Sequence, residues 1–265
     1  MTDHHESNTG PAECGPSQPD RRTFMATAAG VTAALVAPGV IMHSVAGPRT
    51  EAVTSDVRWG LLVDTAKCAD GCSACIEACD RENGLDLQTQ PSGAQPTRWE
   101  NQKSVWIRKV KLQDNQTGRV TNLPLMCQHC EHPPCVDVCP TGASFKRADG
   151  IVLVDRHTCI GCRYCMMACP YKARSFVHEV MSNQLTRVPR GKGCVESCTL
   201  CVHRRDYGEE STACVDACQA AGHEAIIFGD LKDPESPIRM RLAELASRQI
   251  REDLALNTGV RYAGF

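Results

Sequence analysis

Cysteine spacing constrains the fold of this chain more than any other feature of its sequence. Eighteen of its 265 residues are cysteines, and all except Cys14 fall into four short groups. Aromatic residues make up only 5% of the chain, which is little for an ordinary hydrophobic core. Chains with a thin core are often held together by disulfides or metals, so we expect the grouped thiols to fix the fold. The groups are Cys68, Cys72, Cys75 and Cys79; Cys127, Cys130, Cys135 and Cys139; Cys159, Cys162, Cys165 and Cys169; and Cys194, Cys198, Cys201, Cys214 and Cys218.

The third group has the spacing that indicates the chemistry most strongly. Its four cysteines are separated by two, two and three residues, and Pro170 follows the last of them. Three thiolates at this spacing hold one iron–sulfur cubane, and the fourth ligates a neighbouring cubane. Proline suits the first position of a helix, so we also expect a helix to begin at Cys169.

Zinc and disulfide bonds are the alternatives for these thiols. Structural zinc normally uses two separated Cys-x2-Cys pairs, which a run of four does not match. Disulfides form in oxidising compartments, but seventeen grouped cysteines cannot all pair. Two rivals stay open at this point: a structural zinc-binding module, and an enzyme acting at the irregular first group, where three residues separate Cys68 from Cys72.

An internal repeat organises the groups into two modules. Residues 62–64 (Leu-Val-Asp) precede Cys68 by the same offset at which residues 153–155 (Leu-Val-Asp) precede Cys159, and each run is expected to form a short strand. The second and fourth groups share the frame Cys-x2-Cys, gap, Cys-x3-Cys, with gaps of four and twelve residues. This order predicts four [4Fe–4S] clusters on sixteen cysteines. Cys194 is left as a seventeenth thiol, either spare or a substitute ligand.

Residues 1–46 have the pattern of a twin-arginine signal peptide. Arg21 and Arg22 precede a weakly apolar stretch at 26–42, and Ser44-Val45-Ala46 offers small residues for a signal peptidase. The Tat route exports folded proteins, which suits a protein that receives its clusters in the cytoplasm. We therefore predict a periplasmic protein, peripheral on the outer face of the inner membrane, with no membrane span in its mature form. An uncleaved signal is the alternative.

The predicted fold class is α+β, with residues 57–230 as a four-cluster ferredoxin-like domain. Two strands around a turn at 114–118 predict a β-hairpin insertion at about 98–126. Ser236 and Pro237 predict a capped helix that runs to about residue 250, and residues 231–265 are interpreted as a C-terminal helix and docking tail. The net charge of −2 gives no indication of nucleic-acid binding. No nucleophile and base stand out, so we predict an electron carrier with no substrate site of its own.

At its cysteine groups the chain resembles the four-cluster iron–sulfur subunits of the dimethyl-sulfoxide-reductase type. The run at 127–135, Cys-Gln-His-Cys-Glu-His-Pro-Pro-Cys, is typical of them. It is still more similar to the DsrO-like subunits, the periplasmic iron–sulfur subunits of the sulfite-reduction-associated Dsr membrane complex. That similarity rests on the spacing of the first group and on the runs at 142–147, 162–167, 191–194 and 259–262.

This resemblance implies how the groups share clusters and which partners the protein has. Cys218 would complete the cluster of Cys68, Cys72 and Cys75; Cys79 that of Cys198, Cys201 and Cys214; Cys169 that of Cys127, Cys130 and Cys135; and Cys139 that of Cys159, Cys162 and Cys165. The implied partners are a polytopic quinone-interacting membrane subunit and a periplasmic multihaem cytochrome c, in a membrane complex of dissimilatory sulfur metabolism. The alternative within the same class is the B subunit of a molybdopterin oxidoreductase of dimethyl-sulfoxide, polysulfide or tetrathionate reductase type.

Overall fold

Ten short strands, seven α-helices and one 3-10 helix make up the part of the chain that the structure describes. The computed structural model describes residues 52–264, so the predicted signal at 1–46 lies outside it. The strands are β1 (Trp59–Asp64), β2 (Arg108–Gln113), β3 (Val120–Leu125), β4 (Ser144–Lys146), β5 (Val152–Val154), β6 (Ser175–Phe176), β7 (Val195–Glu196), β8 (Ile226–Asp230), β9 (Ser247–Arg248) and β10 (Val260–Ala263). The helices are α1 (Ala74–Asn83), α2 (Pro96–Gln102), α3 (Pro134–Asp137), α4 (Tyr164–Ala168), α5 (Val202–Asp206), α6 (Ala213–Ala220) and α7 (Pro237–Glu244), with the 3-10 helix at Glu252–Leu254.

The largest sheet joins the two ends of the described chain, in the strand order β8-β1-β10-β9. β1 pairs antiparallel with β8, with Leu62 opposite Ile227, and parallel with β10, with Leu61 opposite Val260. Leu61, Leu62 and Val63 are at most 1% exposed. A strand covered on both faces favours such a continuous apolar run, so β1 is the central strand of the fold.

Two modules of similar make-up are nested along the chain. In the outer module β1 leads into α1, and α6 leads into β8; in the inner module α3 leads into the β4–β5 hairpin, which leads into α4. α1 packs against α6, and α3 packs against α4. The strands predicted at 62–64 and 153–155 are β1 and β5. The predicted α+β class is therefore confirmed.

The β2–β3 hairpin lies over the loop of the first cysteine group. Its strands pair antiparallel, with Lys109 opposite Pro124. The Lys109 ammonium donates to the backbone carbonyl of Cys72 at 2.9 Å and to that of Ala69. The Asn122 amide donates to the carbonyl of Cys68 at 3.4 Å. The hairpin thus satisfies carbonyls of the loop that carries the extra residue.

The residues after β8 are built into the sheet, which differs from the docking tail predicted at 231–265. Ser236 caps α7 as expected, but the helix ends at Glu244 instead of near residue 250. β10 lies between β1 and β9, and Tyr262 within it is fully buried. Without β10, one edge of the apolar strand β1 would present unpaired N–H and C=O groups. The described residues belong to a single compact unit, tail included.

Thiols form a large part of the interior. The main apolar cluster includes Leu61, Trp106 and Tyr262. It also includes eight buried cysteines, which lie at the positions Cys75, Cys79, Cys127, Cys130, Cys169, Cys198, Cys214 and Cys218. The groups that carry the predicted chemistry are therefore also core residues, which fits the small aromatic content of the chain.

Candidate iron–sulfur centres

Helices α1 and α6 bring cysteines of the first and last groups together. α1 carries Cys75 and Cys79, and α6 carries Cys214 and Cys218. Each pair is spaced i, i+4, so its two thiols lie on one face of the helix. Because the helices pack against each other, the four thiols meet between them. Burial, followed by the charges of Cys214, Cys68 and Cys218, raises the pKa of Cys75 to about 12.

Two candidate sites lie at this helix pair. Burial raises the pKa of Cys68 against the opposing charge of Lys109, and the charges of Cys218 and Cys72 raise it further. Burial also raises the pKa of Cys79, whose neighbouring thiols all come from the fourth group. In the grouping that the resemblance implies, site 1 comprises Cys68, Cys72, Cys75 and Cys218. Site 2 comprises Cys79, Cys198, Cys201 and Cys214.

Site 2 surrounds a cavity with the chemistry of a cluster-binding pocket. All four of its thiols line one small cavity, together with Trp106 and Asn83. The indole N–H of Trp106 is buried there without a hydrogen-bond partner. The Asn83 amide lies 3.6 Å from the sulfur of Cys79, and the Thr212 hydroxyl lies 3.3 Å from that of Cys214. Donors directed at cysteine sulfur are what a negatively charged cluster requires, so these residues fit a cubane.

The inner module forms the other two candidate sites. Burial, then the charge of Cys135, raises the pKa of Cys127 to about 12, with Cys169 also nearby. Burial and the charges of Cys127, Cys135 and Cys169 raise the pKa of Cys130. Cys165 lies beside the thiols of Cys159 and Cys139. Site 3 comprises Cys127, Cys130, Cys135 and Cys169. Site 4 comprises Cys139, Cys159, Cys165 and, from its place in the third-group loop, Cys162.

The internal repeat extends to hydrogen bonds at sulfur. The sulfur of Cys139, in site 4, accepts the backbone N–H of Ser144 at 3.3 Å. The sulfur of Cys218, in site 1, accepts the backbone N–H of Ala225 at 3.2 Å. In both modules the donor lies at the start of the strand that follows the gapped cysteine group. Equivalent positions of the repeat therefore hold equivalent cysteines.

The prediction that a helix begins at Cys169 is wrong. Arg163 adopts the left-handed conformation, with φ at 65°, and α4 begins directly after it at Tyr164. The helix ends at Ala168, Cys169 is extended, and Pro170 lies in a turn. The residue before a proline is driven to extended conformations, so Pro170 ends this helix and turns Cys169 towards site 3.

Neighbouring thiols link the four sites in the order 1, 2, 3 and 4, an order that we call the row. The charge of Cys214 in site 2 raises the pKa of Cys75 in site 1, and the charge of Cys127 in site 3 raises the pKa of Cys198 in site 2. The charge of Cys165 in site 4 likewise raises the pKa of Cys135 in site 3. The cysteines of sites 2 and 3 are all buried, whereas sites 1 and 4 include half-buried or exposed thiols. Only the two ends of the row are open to solvent among the described residues.

Several residues that shape these sites carry no spacing signal in the sequence. Lys109 and Trp106 reach the sites from the hairpin and the segment before it, far from the cysteines in sequence. His129 lies inside the second group and is buried, with its Nδ1 accepting the N–H of Val152 at 3.0 Å. Burial, then the charge of Arg174, lowers the pKa of His129 to about 3, so the ring is neutral. It anchors β5 to the second group.

All seventeen described cysteines are free thiols. Within residues 52–264, no three His, Cys, Asp or Glu side chains are close enough to hold a single metal ion. A cubane spreads its four ligands over a larger volume than a mononuclear zinc ion does, so the two kinds of site need different spacing. In the same part of the chain no helix has the length and apolar character to cross a membrane.

Cys194 lies at site 4, away from its sequence neighbours in the fourth group. It is buried, and its thiol donates to the backbone carbonyl of Arg156 at 3.3 Å. Burial raises its pKa, and the neighbouring charge of Cys159 adds to that effect. Its place beside Cys159 would make it a substitute for that residue if it replaces any ligand. With its thiol already donating to a carbonyl, we expect Cys194 to be a spare.

Replacement of Cys194 by alanine is therefore expected to leave the iron content of the protein unchanged. The matched control is Cys198→Ala, four residues further on, which removes a thiol of site 2 and should lower the iron content by about a quarter, the share of one cluster in four. Iron and acid-labile sulfide, measured on anaerobically purified protein, provide the check. Equal iron loss in both variants would make Cys194 a ligand.

A row of four-thiol sites on paired ferredoxin-type modules defines the class of the protein as an iron–sulfur protein. Comparison with known families agrees with the geometry. A model for a 4Fe-4S dicluster domain matches residues 67–143, and a second such model matches residues 118–230. The two matched ranges together span all four cysteine groups, so [4Fe–4S] clusters are the cofactors of this chain.

Comparison with characterised proteins shows the family. The chain is 38% identical to the Hdr-like menaquinol oxidoreductase iron–sulfur subunit 1 of Archaeoglobus fulgidus, over 92% of this chain and 97% of that protein. It is 40% identical to the B subunit of the tetrathionate reductase of Salmonella typhimurium, over 70% and 63%. It is 36% identical to an iron–sulfur B subunit assigned to a dimethyl sulfoxide reductase of Halobacterium salinarum, over 77% and 78%. The chain belongs to this family of iron–sulfur subunits of oxidoreductases.

Proposed function

We propose that this chain is a periplasmic electron-transfer subunit that carries four [4Fe–4S] clusters. It relays electrons between a quinone-interacting membrane subunit and a multihaem cytochrome c, within a membrane complex of dissimilatory sulfur metabolism. It has no substrate site of its own. The sixteen cysteines of sites 1 to 4 are the iron ligands. The bound clusters supply one-electron redox chemistry, and the protein fixes their order, burial and electrostatic surroundings.

The observation that carries this proposal is the row of sites with two open ends. From each site to the next along the row, the charge of a thiol in one site raises the pKa of a thiol in its neighbour. The middle sites are closed to solvent, and the terminal ones are partly exposed. A wire needs shielded centres in its interior and accessible centres where electrons enter and leave.

The two open ends differ in surface chemistry, which supports two different partners. Site 1 is bordered by lysines, with exposed Lys67 beside it and Lys109 donating to its loop. Site 4 is bordered by large apolar residues: Ile160 is 67% exposed, Tyr164 53% and Met167 65%. Apolar surface of this kind marks interaction sites. We assign the apolar end to the membrane subunit and the lysine-rich end to the cytochrome.

The relatives support quinone-linked electron transfer over the rival assignment. The name of the Archaeoglobus protein includes menaquinol oxidoreductase, and the similarity covers 97% of that protein. The B subunit of a molybdopterin oxidoreductase is the second candidate, favoured by the similarity to the B subunit of tetrathionate reductase, of which 63% is covered.

Anaerobic affinity purification from detergent-solubilised membranes distinguishes the two candidates. The proposal expects a polytopic membrane subunit and a multihaem cytochrome c to co-purify, as identified by mass spectrometry. Addition of a reduced menaquinone analogue should bleach the broad absorption of the clusters near 400 nm. Co-purification of a molybdopterin-containing subunit in place of the cytochrome would establish the second candidate.

Export by the Tat route predicts a simple genetic result. Replacing Arg21 and Arg22 together by lysine should keep the charge of the leader but retain the protein in the cytoplasm, because the Tat signal requires the arginine pair. Immunoblots of periplasmic and cytoplasmic fractions measure the distribution. Lys67→Arg, which leaves the leader intact, is the control. Undiminished periplasmic protein in the twin-lysine variant would contradict the Tat assignment.

A further inference from the structure

Arg174 is a buried cation at the junction of sites 3 and 4, the two sites of the inner module. Only 5% of the residue is exposed. Its charged neighbours are thiols of both of these sites: Cys135 and Cys127 of site 3, and Cys165 of site 4. All three guanidinium nitrogens are buried, and none has an oxygen or nitrogen partner among the described residues. The guanidinium therefore faces sulfur and no carboxylate.

The local backbone is held in place by other residues. The guanidinium of Arg108 donates to the carbonyls of Tyr171 at 3.0 Å and Lys172 at 2.8 Å, which fixes the turn after Cys169. The hydroxyl of Ser175 donates to the carbonyl of Val105 at 2.9 Å, which fixes the start of β6. The Arg174 side chain is therefore not needed to bridge these segments.

A buried guanidinium with no carboxylate or carbonyl partner would be costly on its own. Arginine stays charged in proteins, and a buried charge is tolerated only when it is paired. A [4Fe–4S] cluster with four thiolates is negatively charged in both of its common oxidation states. The two clusters of sites 3 and 4 would provide the counter-charge that the described carboxylates do not.

We propose that Arg174 is an electrostatic tuning residue that raises the reduction potentials of the clusters in both site 3 and site 4. Reduction adds negative charge to a cluster, so a fixed cation beside it stabilises the reduced form. Because one guanidinium faces thiols of both sites, it keeps the two potentials high together. This inference rests on the proposed function, because it requires clusters in sites 3 and 4.

A matched control lies in the same part of the chain. Arg163 belongs to the loop of site 4 but is exposed, and its guanidinium stacks over the ring of Phe176 at 4.7 Å. Its charge is screened by solvent, whereas that of Arg174 acts through the protein interior. Arg163→Gln removes the same charge as Arg174→Gln from a position where it should have little effect.

The test is a redox titration of the whole four-cluster protein, followed by EPR spectroscopy, on variants with full iron content. Arg174→Gln should lower two of the four midpoint potentials, each by at least a tenfold change in the reduction equilibrium constant, which is about 59 mV for one electron. Arg174→Lys should keep most of the wild-type values, and Arg163→Gln should change none by that amount. Unchanged potentials in a fully loaded Arg174→Gln protein would overturn the inference.

Variants that lose iron are also informative. If Arg174→Gln loses the clusters of sites 3 and 4 while Arg174→Lys keeps them, the positive charge is what the clusters require, and the inference holds. If both variants lose them equally, the shape of arginine matters and not its charge, which overturns the inference. A wild-type protein without iron would instead overturn the proposed function, so the two failures are distinguishable.

Discussion

The double substitution Cys162→Ser and Cys165→Ser is expected to remove one cluster and to stop electron transfer through the chain. Both cysteines belong to the third group and to site 4, the exposed end of the row. Loss of two of four thiolates should prevent site 4 from holding its cubane, while sites 1 to 3 use neither residue. The iron content should therefore fall by about a quarter, one cluster in four.

Quinol-linked turnover of the assembled complex measures the functional consequence. A row of centres conducts only if each centre is present, so turnover should fall to background, whereas the remaining three clusters should still be reducible by dithionite. Met240→Ala, at an exposed position of α7 outside the apolar end assigned to the membrane subunit, is the control and should keep its full iron content and turnover. Turnover at the wild-type rate in the double variant would refute the assignment of site 4 to the electron path.

Replacement of Tyr262 by alanine is expected to be among the most destabilising single changes in the chain. Tyr262 is fully buried in β10, its hydroxyl donates to the carbonyl of Pro124 at 3.2 Å, and it accepts the amide of Gln128 at 3.0 Å. Removal of a buried aromatic side chain costs about 3–5 kcal/mol. Because β10 is an inner strand of the main sheet, the loss should also loosen β1, which leads into site 1.

Thermal unfolding of the cluster-loaded protein, monitored by circular dichroism and by the cluster absorption, provides the measurement. Tyr262→Phe removes only the hydroxyl and should cost less, about 1–3 kcal/mol for the polar groups left unpaired. Met240→Ala, at a half-exposed position of α7, is the surface control. If the alanine variant melted at the wild-type temperature, the C-terminal strand would not be part of the stable fold.

The cysteines could be predicted from sequence because their ligand geometry fixes their spacing. Cys159, Cys162 and Cys165 identify a cubane turn from local intervals alone, and the repeat locates the equivalent strands before Cys68 and Cys159. The four candidate sites follow the grouping that the resemblance to known subunits implies, and both that grouping and the role of these thiols as iron ligands stay predictions. Short-range spacing is informative here because one small inorganic cluster must be reached by neighbouring residues.

The residues that sequence alone did not reveal act over long distances along the chain. Lys109 contacts the first-group loop from a hairpin about forty residues away, and Trp106 faces site 2 from the same segment. Arg174 follows the third group closely, but nothing in its spacing shows that it is buried between two sites. Such positions are set by how β6 and the hairpin pack, which no local pattern records.

Two differences have a local physical explanation. Pro170 was expected to open a helix, but its restriction on the preceding residue keeps Cys169 extended and ends α4 instead. The stretch after residue 258 shows few signs of a strand, because four residues are too short for a clear alternation. Its apolar pair Val260 and Tyr262 nevertheless fits the edge of β1, and pairing with that strand decides its structure.

Iron analysis of the native protein tests the central claim most directly. The full chain should be purified without oxygen and assayed for iron, acid-labile sulfide and zinc, with EPR spectra of the dithionite-reduced sample. Four clusters predict about sixteen iron atoms and as many sulfides per chain, together with a brown colour and a signal from interacting reduced cubanes. A colourless protein that contains zinc, or no metal at all, would contradict the assignment of these thiols to iron–sulfur clusters.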